Sequence, residues 1–143
     1  MRLAEIMQTD LVTCPPDATV AQAAAVMRER RVGACLVMEG PAMAGIITER
    51  DLVGLVADGT DLRVMPVAEA MSGPVTTAPP DADVLWAADT MRRKGVRHLP
   101  VIEQGYVAGM VSLRDLFAAA EAVLRLDPEG TDTALEMLSA TRS

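Results

Sequence analysis

The sequence predicts an α/β fold of the mixed α+β type: two pseudo-twofold-related β-α-β-β-α units packed sheet to sheet, with a short C-terminal tail. Three observations lead there. The stretch from Ala4 to Val53 reappears without a gap from Ala68 to Phe117 at an offset of about 64 residues, with roughly 21 of 50 positions identical. Within each copy, apolar residues at helical spacing alternate with short β-type runs. Each copy also ends its second β run on a hydroxyl residue followed three positions later by Asp, the pattern of a capped helix start. At 143 residues, two interlocked units of about 60 residues are expected to share one core, because a lone unit of that size buries too little surface.

Each copy opens with a helical turn, Ala4 to Met7 or Ala68 to Met71, and a clipped extended piece, Leu11 to Thr13 or Val75 to Thr77. A Pro-Pro pair halts that piece, since proline removes a backbone donor and fixes φ. An Ala-rich helix follows, with Ala23, Ala24 and Met27 in the first copy and Val84, Ala87, Ala88 and Met91 in the second. Arg28 and Arg30, like Arg92, Arg93 and Lys94, suit the negative end of the helix dipole. Two β runs come next, Cys35 to Met38 and Ala44 to Ile47, then Leu99 to Ile102 and Val107 to Val111, each pair joined through a Gly-containing turn. The second helix begins at Thr48-Glu49-Arg50-Asp51 and at Ser112-Leu113-Arg114-Asp115. The boundaries read as a first unit over 1–60, a connector over 61–66, a second unit over 67–126 and a polar tail over 127–143, set off by Asp127-Pro128-Glu129-Gly130.

A net charge of −7 argues against nucleic acid as a partner, because phosphate affinity comes mainly from surplus Lys and Arg. Trp86, Tyr106 and Phe117 are the only aromatics, a poor stacking platform. No apolar run approaches the ~18 residues of a membrane span and the first residues lack a signal-peptide core, so a cytoplasmic protein without membrane attachment is expected. Cys14 and Cys35 read as two reduced thiols, and with His98 as the sole histidine no zinc site is expected. No nucleophile elbow or Walker-type loop is present, so neither catalytic residues nor a catalytic cofactor is expected. The ten methionines read as pliable core filler.

Gly45-Ile46-Ile47-Thr48-Glu49-Arg50-Asp51 and Gly109-Met110-Val111-Ser112-Leu113-Arg114-Asp115 share the form Gly, two apolar residues, hydroxyl, two variable residues, Asp. A helix N-terminus presents free N–H groups to an anion such as phosphate, and an ionised carboxylate accepts both vicinal hydroxyls of a ribose. The same pattern is also a capping box, stabilising by ~1 kcal/mol without any ligand. Asp where a capping box prefers Glu or Gln, in both copies with the same Gly and Arg, favours binding.

With Thr13-x-x-Pro16, Thr77-x-x-Pro80, the Met7 and Met71 turns and Val96-Arg97-His98-Leu99-Pro100-Val101 added, residues 3 to 120 resemble a tandem pair of CBS domains, a Bateman module. The resemblance implies a regulatory sensor of AMP, ADP, ATP or S-adenosylmethionine, usually a dimer of paired modules. It implies two clefts. One would hold ribose on Asp51, phosphate near Thr48 and Arg50, and adenine against Thr77, Ala82 and Val96, with Arg97 and His98 facing the phosphates. The other would use Ser112, Arg114 and Asp115 with Thr13, Ala18, Val32, Gly33 and Ala34. Gly33 and Ala34 replace Arg97 and His98 there, so that cleft is expected to be weaker, empty, or suited to a less anionic adenosine derivative. With no catalytic or transport domain attached, the output is expected to pass to a separate effector protein. A homodimer is expected through apolar helix residues at Ala23, Met27, Ala87, Ala88, Met91 and Leu116 to Ala120. The competing expectation is a structural dimer or adaptor with no physiological nucleotide.

Overall fold

The computed structural model describes residues 1–126; the tail at 127–143 lies outside them. After a 3-10 turn at Leu3–Glu5 come β1 (Thr13–Cys14), α1 (Val20–Arg30), β2 (Ala34–Glu39), β3 (Ala42–Thr48), α2 (Glu49–Ala57) and α3 (Val67–Ala70). The second repeat continues with α4 (Val84–Lys94), β4 (His98–Glu103), β5 (Tyr106–Ser112) and α5 (Leu113–Leu126). The fold is mixed α+β, as the alternating periodicities predict. Capping explains where helices begin and end. Thr19 Oγ1 accepts the Gln22 N–H at 3.1 Å and Gln22 Oε1 accepts the Thr19 N–H at 2.9 Å, a reciprocal box at the start of α1. Asp83 Oδ1 accepts the Leu85 N–H at 2.8 Å at the start of α4. Gly95 closes α4 in the left-handed region at φ 66°, whereas Arg31 closes α1 at φ 56° with a side chain that makes this conformation costlier.

The described residues form two compact units that do not coincide with the two sequence copies: residues 10–75 make one, and residues 1–9 with residues 76–126 make the other. The reason is an exchange of leading segments. In the first unit the segment that opens the second copy packs on the first: Val67 N–H donates to Ala18 O at 2.8 Å, and Ser72 and Ile46 exchange backbone hydrogen bonds at 2.9 and 3.3 Å. In the other unit the chain start does the equivalent: Leu3 N–H donates to Ala82 O at 2.9 Å, and Gln8 and Met110 exchange bonds at 2.8 and 2.9 Å.

The 10–75 unit has a sheet in the order β1-β2-β3, with β1 parallel and β3 antiparallel to β2. One face carries Val12, Cys14, Cys35, Val37 and Ile47, packed with Val20, Ala23 and Met27 of α1 and with Val67 of α3. Connector residues complete α1, since Val20 and Ala21 donate their N–H groups to Met65 O and Leu62 O, both at 2.9 Å.

The other unit pairs β4 with β5 antiparallel and buries Leu3, Ala78, Ala87, Met91, Leu99, Val101, Val111 and Leu116 together. The extended piece expected at Val75 to Thr77 is not a strand. It shrinks to one parallel bridge between Ala78 and Val101. In the first repeat Leu36 donates its N–H to Val12 O at 2.9 Å, but the equivalent residue of β4 is Pro100, which has no N–H to give. A second expectation is also corrected. Ala23, Met27, Ala87, Met91 and Leu116 are no docking surface, because all are buried in the cores of their own units.

Candidate functional site: the starts of α2 and α5

Each second helix starts where a buried strand ends. Ala34 pairs with Thr48 and His98 with Ser112, so the first residue of β2 or β4 lies beside the helix cap. The carbonyl one residue earlier takes the first helical N–H: Glu49 N–H donates to Gly33 O at 3.0 Å and Leu113 N–H to Arg97 O at 2.9 Å.

The two Asp carboxylates divide their oxygens in the same way. Asp51 Oδ2 accepts the Thr48 N–H at 2.8 Å and the Thr48 hydroxyl at 3.1 Å, and Asp51 N–H approaches Thr48 Oγ1 at 3.5 Å. Asp115 Oδ2 accepts the Ser112 N–H at 2.8 Å, and Asp115 N–H donates to Ser112 Oγ at 3.2 Å. One oxygen of each pair therefore serves as a cap. The other faces the exchanged segment: the Ser72 hydroxyl is 3.5 Å from Asp51 Oδ1, and Gln8 Nε2 donates to Asp115 Oδ1 at 3.2 Å. A carboxylate oxygen has two lone-pair sites, so each Oδ1 retains acceptor capacity for a hydroxyl.

The remaining residues distribute by unit. The 10–75 unit brings together Thr13, Ala18, Val32, Gly33, Ala34, Thr48, Arg50 and Asp51; the other holds Thr77, Ala82, Val96, Arg97, His98, Ser112, Arg114 and Asp115. Arg50, Arg97 and Arg114 have exposed side chains, and Asp51 and Asp115 are half-buried. Sequence reasoning missed Ser72 and Gln8. The only available signal was that each directly follows the Met at matching repeat positions, Met71 and Met7.

Cys14 and Cys35 are free and buried on the core face of their sheet. Burial pushes the Cys14 thiol up, and burial together with the facing Cys14 thiol pushes Cys35 up to about 12. Both are neutral thiols at pH 7 and act as small core groups rather than nucleophiles. Among the described residues no His, Cys, Asp and Glu cluster is arranged to hold a metal, and no helix is long and apolar enough to cross a membrane.

The exchanged units and twin capped carboxylates define a paired-repeat module, and the comparisons agree. The CBS domain profile matches residues 3–58 and 67–122, so the chain belongs to the CBS domain family as a tandem pair. It is 32% identical over 136 residues to the CBS domain-containing protein YhcV of Bacillus subtilis, covering 94% of this chain and 93% of that protein. Among solved structures, a CBS-domain protein from Burkholderia ambifaria superposes with a TM-score of 0.82 at 29% identity, covering 85% of this chain and 95% of that one. A CBS domain protein from Pyrobaculum aerophilum, complexed with AMP, superposes with a TM-score of 0.74 at 28% identity, covering 80% of this chain and 89% of that one.

Proposed function

We propose that the chain is a non-catalytic regulatory sensor that binds adenosine-containing ligands through the α2 and α5 starts and signals to a separate effector protein, as a cytoplasmic homodimer. One observation carries the reading: at both helix starts the Asp spends Oδ2 on the cap and presents Oδ1 to a polar donor, Ser72 or Gln8. That is the acceptor a ribose hydroxyl needs. The AMP complex of the Pyrobaculum aerophilum relative supports the adenosine class. The ligand residues are those the family pattern assigns: in the 10–75 unit Thr13, Ala18, Val32, Gly33, Ala34, Thr48, Arg50 and Asp51, with Asp51 as the ribose acceptor. In the other unit they are Thr77, Ala82, Val96, Arg97, His98, Ser112, Arg114 and Asp115, with Asp115 as the ribose acceptor.

The formed capping boxes equally suit a structural adaptor, so the experiment must separate binding from stability. Asp51→Ala is expected to weaken AMP by ~1.5–3 kcal/mol, the worth of hydrogen bonds to a charged group, while lost capping costs the fold only ~1 kcal/mol. Calorimetric titration and thermal melting of both proteins decide it. Unchanged AMP affinity beside a lowered melting point makes Asp51 a cap only.

A further inference from the structure

In each unit a methionine of the exchanged segment lies against a glycine of the neighbouring strand. Met71 covers Gly45 and Met7 covers Gly109: a Cβ added at these glycines would come within 2.5 and 2.6 Å of the sulfur and within 2.8 Å of Cγ. Each thioether therefore seats its segment directly on the strand. Beside it run the paired backbone hydrogen bonds of Ser72 with Ile46 and of Gln8 with Met110. Met7 and Met71 are half-buried, whereas Met27 and Met91, another equivalent pair, are 3% exposed. The methionines at the segment contacts thus meet solvent in the folded protein, and the core pair barely does.

We infer that Met7 and Met71 are a paired oxidation site, at which a peroxide converts each thioether to its sulfoxide and loosens the exchanged segment from its strand. With hydrogen peroxide the step balances without further reagents: the sulfur gives two electrons and takes one oxygen as the O–O bond breaks, and the rest of the peroxide leaves as water. A thiol-dependent sulfoxide reductase reverses it. The consequence comes from packing. A sulfoxide is polar and larger by one oxygen, and the side facing the glycine has no room even for a carbon. Swinging the side chain into solvent relieves the conflict, but it empties the contact that seats the segment and opens the adjoining backbone bonds to water. The same segments carry Ser72 beside Asp51 and Gln8 beside Asp115, so oxidation acts on the surroundings of both capped carboxylates. None of this depends on which ligand the chain binds.

Graded treatment of the full chain with hydrogen peroxide, read by peptide mass mapping and by amide hydrogen exchange, tests the site. Sulfoxide is expected at Met7 and Met71 at doses that leave Met27 and Met91 as thioethers. Exchange of the Gln8, Ile46, Ser72 and Met110 amides is expected to quicken by about tenfold, the effect of losing roughly half of a buried methionine's contact, and to slow again after treatment with the reductase. The Met7→Leu, Met71→Leu double variant keeps the volume and removes both sulfurs, so peroxide is expected to leave its four amides unchanged. Oxidation of Met7 and Met71 no faster than that of Met27 and Met91 overturns the proposal, as does their oxidation with the four amides unmoved. The same quickening in the double variant also overturns it, because other methionines are then responsible.

Discussion

At Gly45 one added carbon would come within 2.5 Å of Met71 Sδ and 3.0 Å of the Ser72 carbonyl oxygen; at Gly109 it would come within 2.6 Å of Met7 Sδ and 3.0 Å of the Gln8 oxygen. The Gly that opens each Gly-x-x-hydroxyl-x-x-Asp motif is thus fixed by packing, not by ligand chemistry. It lets the exchanged segment lie against the strand closely enough to place Ser72 or Gln8 beside the Asp. A flexible Met can swing away from a methyl group, but the backbone oxygen cannot without breaking the paired bonds at Ile46 or Met110. Gly45→Ala is therefore expected to destabilise the protein by ~1–3 kcal/mol, the cost of overpacking. Denaturant unfolding checks it, and shortening Met71 to Ala in the same chain should recover only part of the loss. A change within about 0.5 kcal/mol, the range of an inconsequential substitution, would mean that the strand can retreat freely. The sequence shows that both motifs start with Gly; it holds no sign of the sulfur and carbonyl pressed against it, because those atoms come from about 26 or 102 residues away in the chain.

Elements with strong local causes are legible in the amino-acid sequence itself. The Thr48 and Ser112 caps, the hairpins that precede them and the two Ala-rich helices fall where periodicity and capping put them. What periodicity does not carry is which copy an element packs on. The turn at Leu3–Glu5 and helix α3 are chemically interchangeable leaders at equal repeat positions, so nothing local separates packing on one's own repeat from packing on the other. The shortened strand at Ala78 has a readable cause in Pro100, but its effect depends on the Leu36-to-Val12 pairing that only the fold reveals. The exchange has a sharp consequence. Leu3 is fully buried among Ala87, Leu99, Val101 and Leu116, all of the second repeat. Leu3→Ala is expected to cost ~2–5 kcal/mol, as buried Leu truncations do. The loss should appear in hydrogen exchange as faster opening of the β4–β5 amides, with β2–β3 retaining more of its protection. Selective loss in β2–β3 instead would contradict the exchange.

Among the described residues large exposed apolar side chains include Val64 in the connector and Tyr106 on β5, but the second helices alone carry them at equivalent positions of both repeats, and the Ala- and Met-lined faces do not supply them. Those small residues face their own sheets. Val53 and Val56, one turn apart on α2, are 69% and 63% exposed, and Phe117, the repeat equivalent of Val53 on α5, is 62% exposed. Trp86 on α4 adds a further exposed aromatic at 42%. Single exposed apolar side chains are ordinary, but large ones at equivalent positions of both repeats make a recurring feature, the kind that a second copy covers by twofold symmetry. Their removal from water at ~25 cal/mol per Å² of apolar surface supplies the driving force. The homodimer prediction therefore keeps Phe117, from the expected Leu116 to Ala120 stretch, and adds Val53 and Val56 of α2, while keeping its form. Light scattering at micromolar concentration and physiological salt is expected to report twice the 15.1 kDa chain mass. The Val53→Glu, Phe117→Glu double variant should report one chain mass with unchanged secondary structure by circular dichroism, since both side chains point away from the cores and replacing them empties none. A single-chain mass for the unmodified protein would end the dimer proposal. A persistent dimer in the double variant would move the contact off these helices.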